Sequence, residues 1–476
     1  FEAREMIVEK LKETGALEKV EPCLHAVPRS QRGGAILEPR LTTQWYCDVK
    51  ALAARAIEKV KSGEMGFIPK LWENTFFSWL ENIQPWCISR QLWWGHQIPA
   101  YYGKDGKLAY VGKNPPTGLA RDEDVLDTWF SSGLWPMATL GWPDESAPDF
   151  KKYFPNSVLV TGFDIIFFWV ARMAMFSLYF TGKAPFGKVV LHGLVTDERG
   201  VKMSKTKGNV INPLDFIGEF GADPLRFAIC LAANQNRTNP FGKANVENAK
   251  KFLTKLLNAV AFWEINGIAG APEKFDAARS APAADWIIGR MNGAVAAAEA
   301  GMEAYRYDEY ANNIYHFVWD DFCSAFIEAA KPELAGANRG AILSAAHEAL
   351  KGMLKMLQPV TPFIAAELWE RLGFGKEVDL IREPFAAQIT LGKANIANAE
   401  KFQLELETKL SAANRDEEIA KSRAELAATE KRIGSLSKQL SNKGFTENAK
   451  PDVLAEYRNA LAEAEAKKKL LEEKIG

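Results

Sequence analysis

Paired cysteines are missing from this 476-residue sequence: Cys23, Cys47, Cys87, Cys230 and Cys323 are scattered, with no CxxC among them. Neither a disulfide framework nor a zinc site is expected, and the pattern suits a reducing, cytoplasmic compartment. Long apolar runs are missing too. The most apolar stretch, 158–180, is interrupted by Asp164 and Arg172, so it falls short of the roughly 18 uncharged apolar residues of a membrane span, and no membrane partner is expected. Charge of one sign is not in excess either. Lys and Arg number 59 against 60 Asp and Glu, a net charge of −1. That excludes a histone-like polybasic protein and confines any nucleic-acid contact to local basic patches. The chain opens on Phe1 inside a helical pattern, with neither an initiator methionine nor a signal-peptide h-region, and is read as a truncated chain.

The length predicts about two to four domains. Residues 1–50 hold one charged helix and then a Gly/Pro-punctuated segment whose short apolar runs read as strand pieces. From 51 to 242, strands such as Ser157 to Thr161 and Val189 to Val195 alternate with helices such as Ile165 to Phe180, the signature of a parallel α/β sheet. After Pro240 the period changes. Val246, Ala249, Leu253, Leu256, Val260 and Trp263 recur at helical spacing, as do Leu343, Ala346, Leu350, Met353 and Leu357, so 243–395 reads as an all-helical bundle. From 396 onward the chain becomes an arm. Ile419, Leu426, Ile433 and Leu440 repeat every seven residues, and Leu454, Leu461 and Ile475 alternate with Tyr457, Ala464 and Leu471. This predicts an antiparallel coiled-coil hairpin that reverses at Gly444 and resumes at Pro451, with Lys468 loosening one end.

Two segments carry chemistry. In VLHGLVTDERGVKMSKTKGN (190–209) a strand and a hairpin-like turn lead into a lysine-rich Gly/Ser/Thr loop. Ammonium groups at Lys202 and Lys205 on such a loop can offset the charge that builds as an α-phosphate is attacked and pyrophosphate leaves; a solvated surface turn is the plain alternative. In TGFDIIFFWVARM (161–173) a strand, a Gly turn and a helix follow one another, the place where an open α/β sheet binds ligands at its carboxyl edge. Gly162 lets backbone approach a ribose and Asp164 can accept from its hydroxyls; as bare sequence Asp164 could equally cap a helix, and Ile165 and Trp169 could be core. His192 shapes an adenine site or belongs to the core. A Cys87–His96 dyad is disfavoured because no orienting third group is visible. The interspersed basic residues Lys421, Arg423, Lys431, Arg432, Lys438 and Lys443 read as a solvated face.

KMSKT resembles the KMSKS signature of the class I aminoacyl-tRNA synthetases, with Thr206 keeping the last hydroxyl. The 161–173 segment is similar to that of the valine-specific members, while DEDVLDTWFSSGLWP (122–136) and NIQPWCISRQLWWGHQIPAYY (82–102) match signatures of the isoleucyl and valyl subfamily. MLQPVTPFIAAELWERL (356–372) resembles a segment of the anticodon-binding domain. NRTNPF and KFLTKLLNA depart from the motifs expected near 237–258.

The resemblance implies the second half of a Rossmann-like catalytic domain over 51–242, preceded by the closing segment of an editing insertion, then a helical anticodon-binding domain and a coiled-coil tRNA-binding arm. It implies a ligase that activates valine with ATP and transfers it to tRNA(Val), with Mg²⁺ expected from the chemistry but no ligand to assign, and a monomeric parent enzyme. Lys202 and Lys205 would be catalytic. Gly162, Asp164, His192, Gly193, Lys202, Met203, Ser204, Lys205 and Thr206 would bind ATP. Trp129, Ile165 and Trp169 would wall a valine pocket, which separates one methylene by only ~1–3 kcal/mol. Arg226 would pack or meet tRNA, and Arg423 and Arg432 would touch its phosphates. The HxGH motif that completes such a site is missing from the sequence, so the chain alone is not expected to form valyl-adenylate. A tRNA-docking module, or a sibling ligase for isoleucine or leucine, are the alternatives.

Overall fold

The computed structural model describes residues 2–30, 33–38, 41–204, 208–235, 238–271, 274–442, 444 and 451–475, without the side chains of 410–419, 451–452 and 473–475. The chain divides into two compact units, one formed by 1–58, 78–154 and 168–183, the other by 59–77, 155–167 and 184–476.

The first unit is built from short antiparallel pairs around one buried helix. Tyr46–Cys47 pairs with Trp86–Cys87, Ser89–Arg90 with Val125–Leu126, and Ala100–Tyr102 lies between Leu108–Val111 and Ala120–Arg121. The helix Ala171–Thr181 is buried along 171–178. It packs against the short helices Thr128–Ser132 and Trp135–Ala138, and Phe176 lies 5.0 Å from Phe130 and 6.2 Å from Trp86. Gly133 sits so close to Phe176 that a Cβ there would lie 2.9 Å from the ring. The continuous helical run Phe163–Thr181 has the length and, at 1.5, the mean hydropathy of a membrane span. Its buried 171–178 face marks it as a core helix, whose composition is the same.

The second unit opens with a three-stranded parallel sheet in the order Gly66–Ile68, Phe186–His192, Asn156–Gly162. Val189, Val190 and Leu191 of the central strand are buried, as strands covered on both faces should be. The sequence predicts one strand from 189 to 195, but two are present. The first ends at His192; after Gly193, Leu194–Thr196 leaves the sheet and pairs in parallel with Thr238–Pro240. The helix after Gly162 is also irregular: a 3₁₀ turn Phe163–Ile165 and a π turn Ile166–Val170 precede the regular part.

The remainder is helical, and every apolar position predicted for the bundle from Val246 to Trp263 and from Leu343 to Leu357 is buried. Buried acids tie the helices together. The carboxylate of Asp223 accepts from the backbone amides of Phe363 (3.4 Å) and Ile364 (2.7 Å), capping the helix Pro362–Arg371 from outside. Asp285, fully buried, accepts from Asn395 (2.8 Å) and Asn398 (3.2 Å) and so fixes the start of the helix Lys393–Leu440. That helix runs unbroken from the bundle into the arm and packs along Pro451–Ile475.

The two arm helices enclose Leu426, Ile433, Leu440, Ala464 and Leu471, with the smaller Ser422 and Thr429 filling the seam. The side chains of Ile419 and Ile475, and the turn after Gly444, lie outside the described residues. Lys468 does not loosen the seam as the sequence predicts. Its long stem carries the ammonium out to Glu430 (2.8 Å), while Ala464 and Leu471 are buried. Asp223→Ala, which orphans two amides at a helix start, should cost about 1–2 kcal/mol in urea unfolding, and Asp223→Asn clearly less. Equal losses in both would contradict the cap.

Candidate nucleotide and amino-acid sites

In the second unit the carboxyl ends of two neighbouring strands bring three predicted residues together. His192 and Gly162 are direct partners in the parallel register. A Cβ on Gly162 would lie 2.7 Å from Asp164 Oδ1 and 3.7 Å from His192 Cε1. Gly162, at an ordinary extended φ of −71°, thus leaves the space beside its Cα to the end of the Asp164 side chain. Asp164 is exposed and does not serve as the helix N-cap, a position that Gly162 occupies. His192 is exposed and its Nδ1 lies 3.0 Å from the carbonyl of Gly193, so it is not a core residue. Beside it opens a largely apolar cavity of about 510 Å³ whose walls include Val160, His192, Gly193, Met203, Phe216 and Tyr305.

The loop rises from the strand Leu194–Thr196. Asp197 to Gly200 form a tight turn, closed by Gly200 N to Asp197 O (2.9 Å) and Asp197 N to Val201 O (3.0 Å), with Gly200 at φ 76°. Lys202 then bridges back to Thr196. Lys202 is exposed, whereas Met203 and Ser204 are half-buried. Lys205 and Thr206 lie outside the described residues. Asp197, whose carboxyl is held below its ordinary range by its hydrogen bond from Asn209 and then by backbone amides, was read from sequence only as part of the turn.

The first unit carries the aromatic wall. Trp129 stacks on Phe168 at 5.9 Å, and Trp169 sits 5.6 Å from Trp135 and donates its indole N–H to the carbonyl of Ser132 (3.1 Å). Both tryptophans are thus fixed on the short helix Thr128–Ser132, whose start Asp127 caps by accepting from Trp129 N (3.4 Å). Ile165 belongs to the other unit, on the 3₁₀ turn with Asp164. Behind the wall lies a polar cavity of about 350 Å³ lined by Trp86, Arg90, Asp127, Trp129, Phe168 and Arg172.

Asp127 is the hub of this polar cavity. It is buried, pairs with Arg90 at 3.0 Å and accepts from the Trp86 indole at 3.0 Å. Arg172 lies over Trp86 with its guanidinium 4.0 Å from the ring centroid, and burial pulls it down to about 10 despite the field of Asp127. Sequence reading missed this cluster. The signal for it was an arginine inside an otherwise apolar helix, which demands a charged or aromatic partner.

Of the residues assigned to tRNA, Arg423 and Arg432 are exposed on the arm. Arg226 donates through Nε to the carbonyl of Val360 and through Nη2 to that of Pro359, both at 2.9 Å. These bonds tie its exposed side chain to the turn before the helix Pro362–Arg371. Cys87 Sγ faces Gln44 (3.8 Å) and Ser89, and no contact with His96 exists among the described residues. Burial pushes the thiols of Cys230 and Cys323 up to about 11 and about 12, so neither is a nucleophile near neutral pH. No group of three or more His, Cys, Asp or Glu among the described residues is placed to hold a metal ion.

Comparison with known proteins matches these elements in order. The family described as tRNA synthetases class I (I, L, M and V) matches residues 5–117 and 108–239. The chain belongs to the class I tRNA synthetases. The anticodon-binding domain of tRNA ligase matches 284–431, and the valyl tRNA synthetase tRNA binding arm 415–476. The valine–tRNA ligase of Gluconobacter oxydans (strain 621H) is 50% identical over 411 residues, covering 84% of this chain and 46% of that protein. That of Granulibacter bethesdensis is 49% identical over 399 residues, covering 81% and 44%. The chain thus spans about half the length of the curated relatives it matches.

Among solved structures, Mycobacterium tuberculosis methionyl-tRNA synthetase with methionyl-adenylate aligns with a TM-score of 0.61 at 16% identity, over 77% of this chain and 71% of that one. The Agrobacterium radiobacter K84 agnB2 LeuRS–tRNA–LeuAMS complex aligns at 0.53 and 19%, over 69% and 48%. At these identities the likeness is one of fold.

Asp127→Ala would leave the buried Trp86 N–H and the Arg90 guanidinium without their shared acceptor. A loss of about 1–3 kcal/mol in chemical denaturation is expected, with Asp127→Asn intermediate because it keeps one acceptor oxygen. Wild-type stability in Asp127→Ala would contradict the hub.

Proposed function

We propose that the chain is the C-terminal portion of a valine–tRNA ligase. Its domains are read as 1–50, the close of an editing insertion; 51–242, the second half of the catalytic domain; 243–395, the anticodon-binding bundle; and 396–476, the tRNA-binding arm. The observation that carries the reading is the convergence of Gly162, Asp164 and His192 at the carboxyl edge of a parallel sheet whose next turn leads to Lys202. Gly162 admits the ribose, Asp164 accepts from its hydroxyls, and the apolar cavity beside His192, Gly193 and Met203 takes the adenine.

In the reaction the valine carboxylate attacks the α-phosphorus in line, the bond to the bridging oxygen breaks, and pyrophosphate leaves. Lys202 and Lys205 offset the charge gathering on the phosphates, with the backbone and hydroxyls of Ser204 and Thr206 alongside. Mg²⁺ on the phosphates is expected from the chemistry, with no residue of this chain assigned to it. Trp129 and Trp169, on the aromatic wall of the first unit, are assigned to the isopropyl group of valine. The valyl-arm match over 415–476 and the relatives at 49–50% identity favour valine over isoleucine or leucine. The adenylate then passes valine to the terminal adenosine of tRNA(Val), in a reducing cytoplasm and a monomeric enzyme.

A docking contribution from the arm is favoured by the exposure of Arg423 and Arg432 on a helix continuous with the bundle. Phosphate contacts of this kind add affinity without base readout. Filter binding of tRNA(Val) across a salt series should show affinity falling steeply with salt, and Arg423→Ala or Arg432→Ala should each reduce the logarithmic slope by about 1. Absence of tRNA binding at low salt, or slopes indifferent to both substitutions, would remove the arm from the account.

A further inference from the structure

The base of the KMSKT loop is closed by a pair of side chains that belong to neither the strand nor the loop's lysines. Asn209 reaches across the loop root. Its Oδ1 accepts from Ser204 N at 2.9 Å, while its Nδ2 donates to Asp197 Oδ2 at 2.9 Å and, more weakly, toward the carbonyl of Lys202 at 3.4 Å. The other carboxylate oxygen of Asp197 accepts from Arg199 N (3.1 Å) and Val201 N (2.8 Å). One amide and one carboxylate therefore join the turn before the loop to the residue that ends it, and hold the backbone on both sides of Met203.

The turn is itself anchored. Glu198 accepts from Lys243 N at 3.1 Å, at the start of the helix Lys243–Ile265. Gly242 leaves the room for it, because a Cβ there would overlap the Glu198 carboxylate. The strand beneath is tied to the same place, since Phe241 N donates to the carbonyl of Thr196 at 3.1 Å. The root of the loop thus stands on the first helix of the bundle.

We infer that Asp197 and Asn209 form a latch that positions the root of the KMSKT loop, setting where Lys202 meets the leaving phosphates. Neither residue touches the reacting atoms; both are positioning residues, and the inference rests on the reading of this loop as the pyrophosphate site. Hydrogen-bond polarity makes the latch directional. Asp197→Asn turns an amide N–H₂ toward the N–H₂ of Asn209, donor against donor. Asn209→Asp sets carboxylate against carboxylate, which repels. The reciprocal double variant D197N/N209D restores every strong bond. The amide it places at position 197 accepts from the turn amides and donates to the carboxylate at position 209, which in turn accepts from Ser204 N.

The test uses the full chain with amide hydrogen exchange at peptides covering 201–209, and titration with inorganic pyrophosphate as the probe. Asn209→Ala and both polarity variants should speed Ser204 exchange about tenfold, the equivalent of about one hydrogen bond lost, with thermal unfolding little changed. The double variant should return exchange toward wild type. Acidification should rescue Asn209→Asp alone, as one of the facing carboxyls takes a proton and becomes a donor.

Pyrophosphate affinity should fall in the single variants and recover in the double. Wild-type exchange in Asn209→Ala, or a double variant no better than the singles, would overturn the latch whatever pyrophosphate does. If the exchange pattern holds while the wild-type chain binds no pyrophosphate, the latch stands as a loop closure, while its positioning role falls together with the pyrophosphate reading of the loop.

Discussion

Parallel pairing of Asn156–Gly162 with Phe186–His192 is the constraint from which the proposed nucleotide site follows. Two strands running the same way end at the same edge, so their last residues are neighbours in space although about thirty positions apart in sequence. Gly162 and His192 meet there by register. Burial of Val189, Val190 and Leu191 keeps the central strand inside the sheet, between its two parallel neighbours. The central strand then has to leave the sheet. After Gly193, Leu194–Thr196 finds a new partner in Thr238–Pro240, which delivers the lysine loop beside the edge and ties its root to the helical bundle.

A second regularity lies in where the acids go. Asp127, Asp223 and Asp285 are all buried, and each directs its lone pairs to donors from distant parts of the sequence: an indole and a guanidinium, two helix-start amides, and two asparagine side chains. A buried carboxylate left unsatisfied is strongly destabilising, so each of these contacts sets position as well as adding stability. The aromatic wall of the first unit follows from one of them. Asp127 starts the short helix that carries Trp129 and ends at the carbonyl held by Trp169.

Periodic features were legible in the sequence. The helical spacing from Val246 to Trp263 and the heptads through Leu426, Ile433 and Leu440 needed only local pattern; the first set is buried and the heptad residues are half-buried along the arm. Gly162 and Asp164 were legible because a strand, a glycine turn and a helix follow one another without a break. What could not be read were pairings set by tertiary register. Nothing local to Asp197 announces Asn209 twelve positions on, and nothing around Asp223 announces the amides of Phe363 and Ile364. Lys468 misled for the same reason. A charge at a seam position looks disruptive until the acidic partner across the arm, Glu430, is known. Arg172 was visible as an interruption of an apolar run, but its partners Trp86 and Asp127 were visible only in the fold.

The central proposal is that this chain holds the pyrophosphate lysines and the valine wall of a valine–tRNA ligase. Its most direct test is valine-dependent ATP–pyrophosphate exchange, measured for the chain alone and after mixing with the N-terminal half of the Gluconobacter oxydans relative, with isoleucine as the competing amino acid. The expected result is no exchange alone, exchange on mixing that prefers valine, and its loss with Lys202→Ala. Full exchange by the chain alone, equal use of isoleucine, or activity indifferent to Lys202 would contradict the claim.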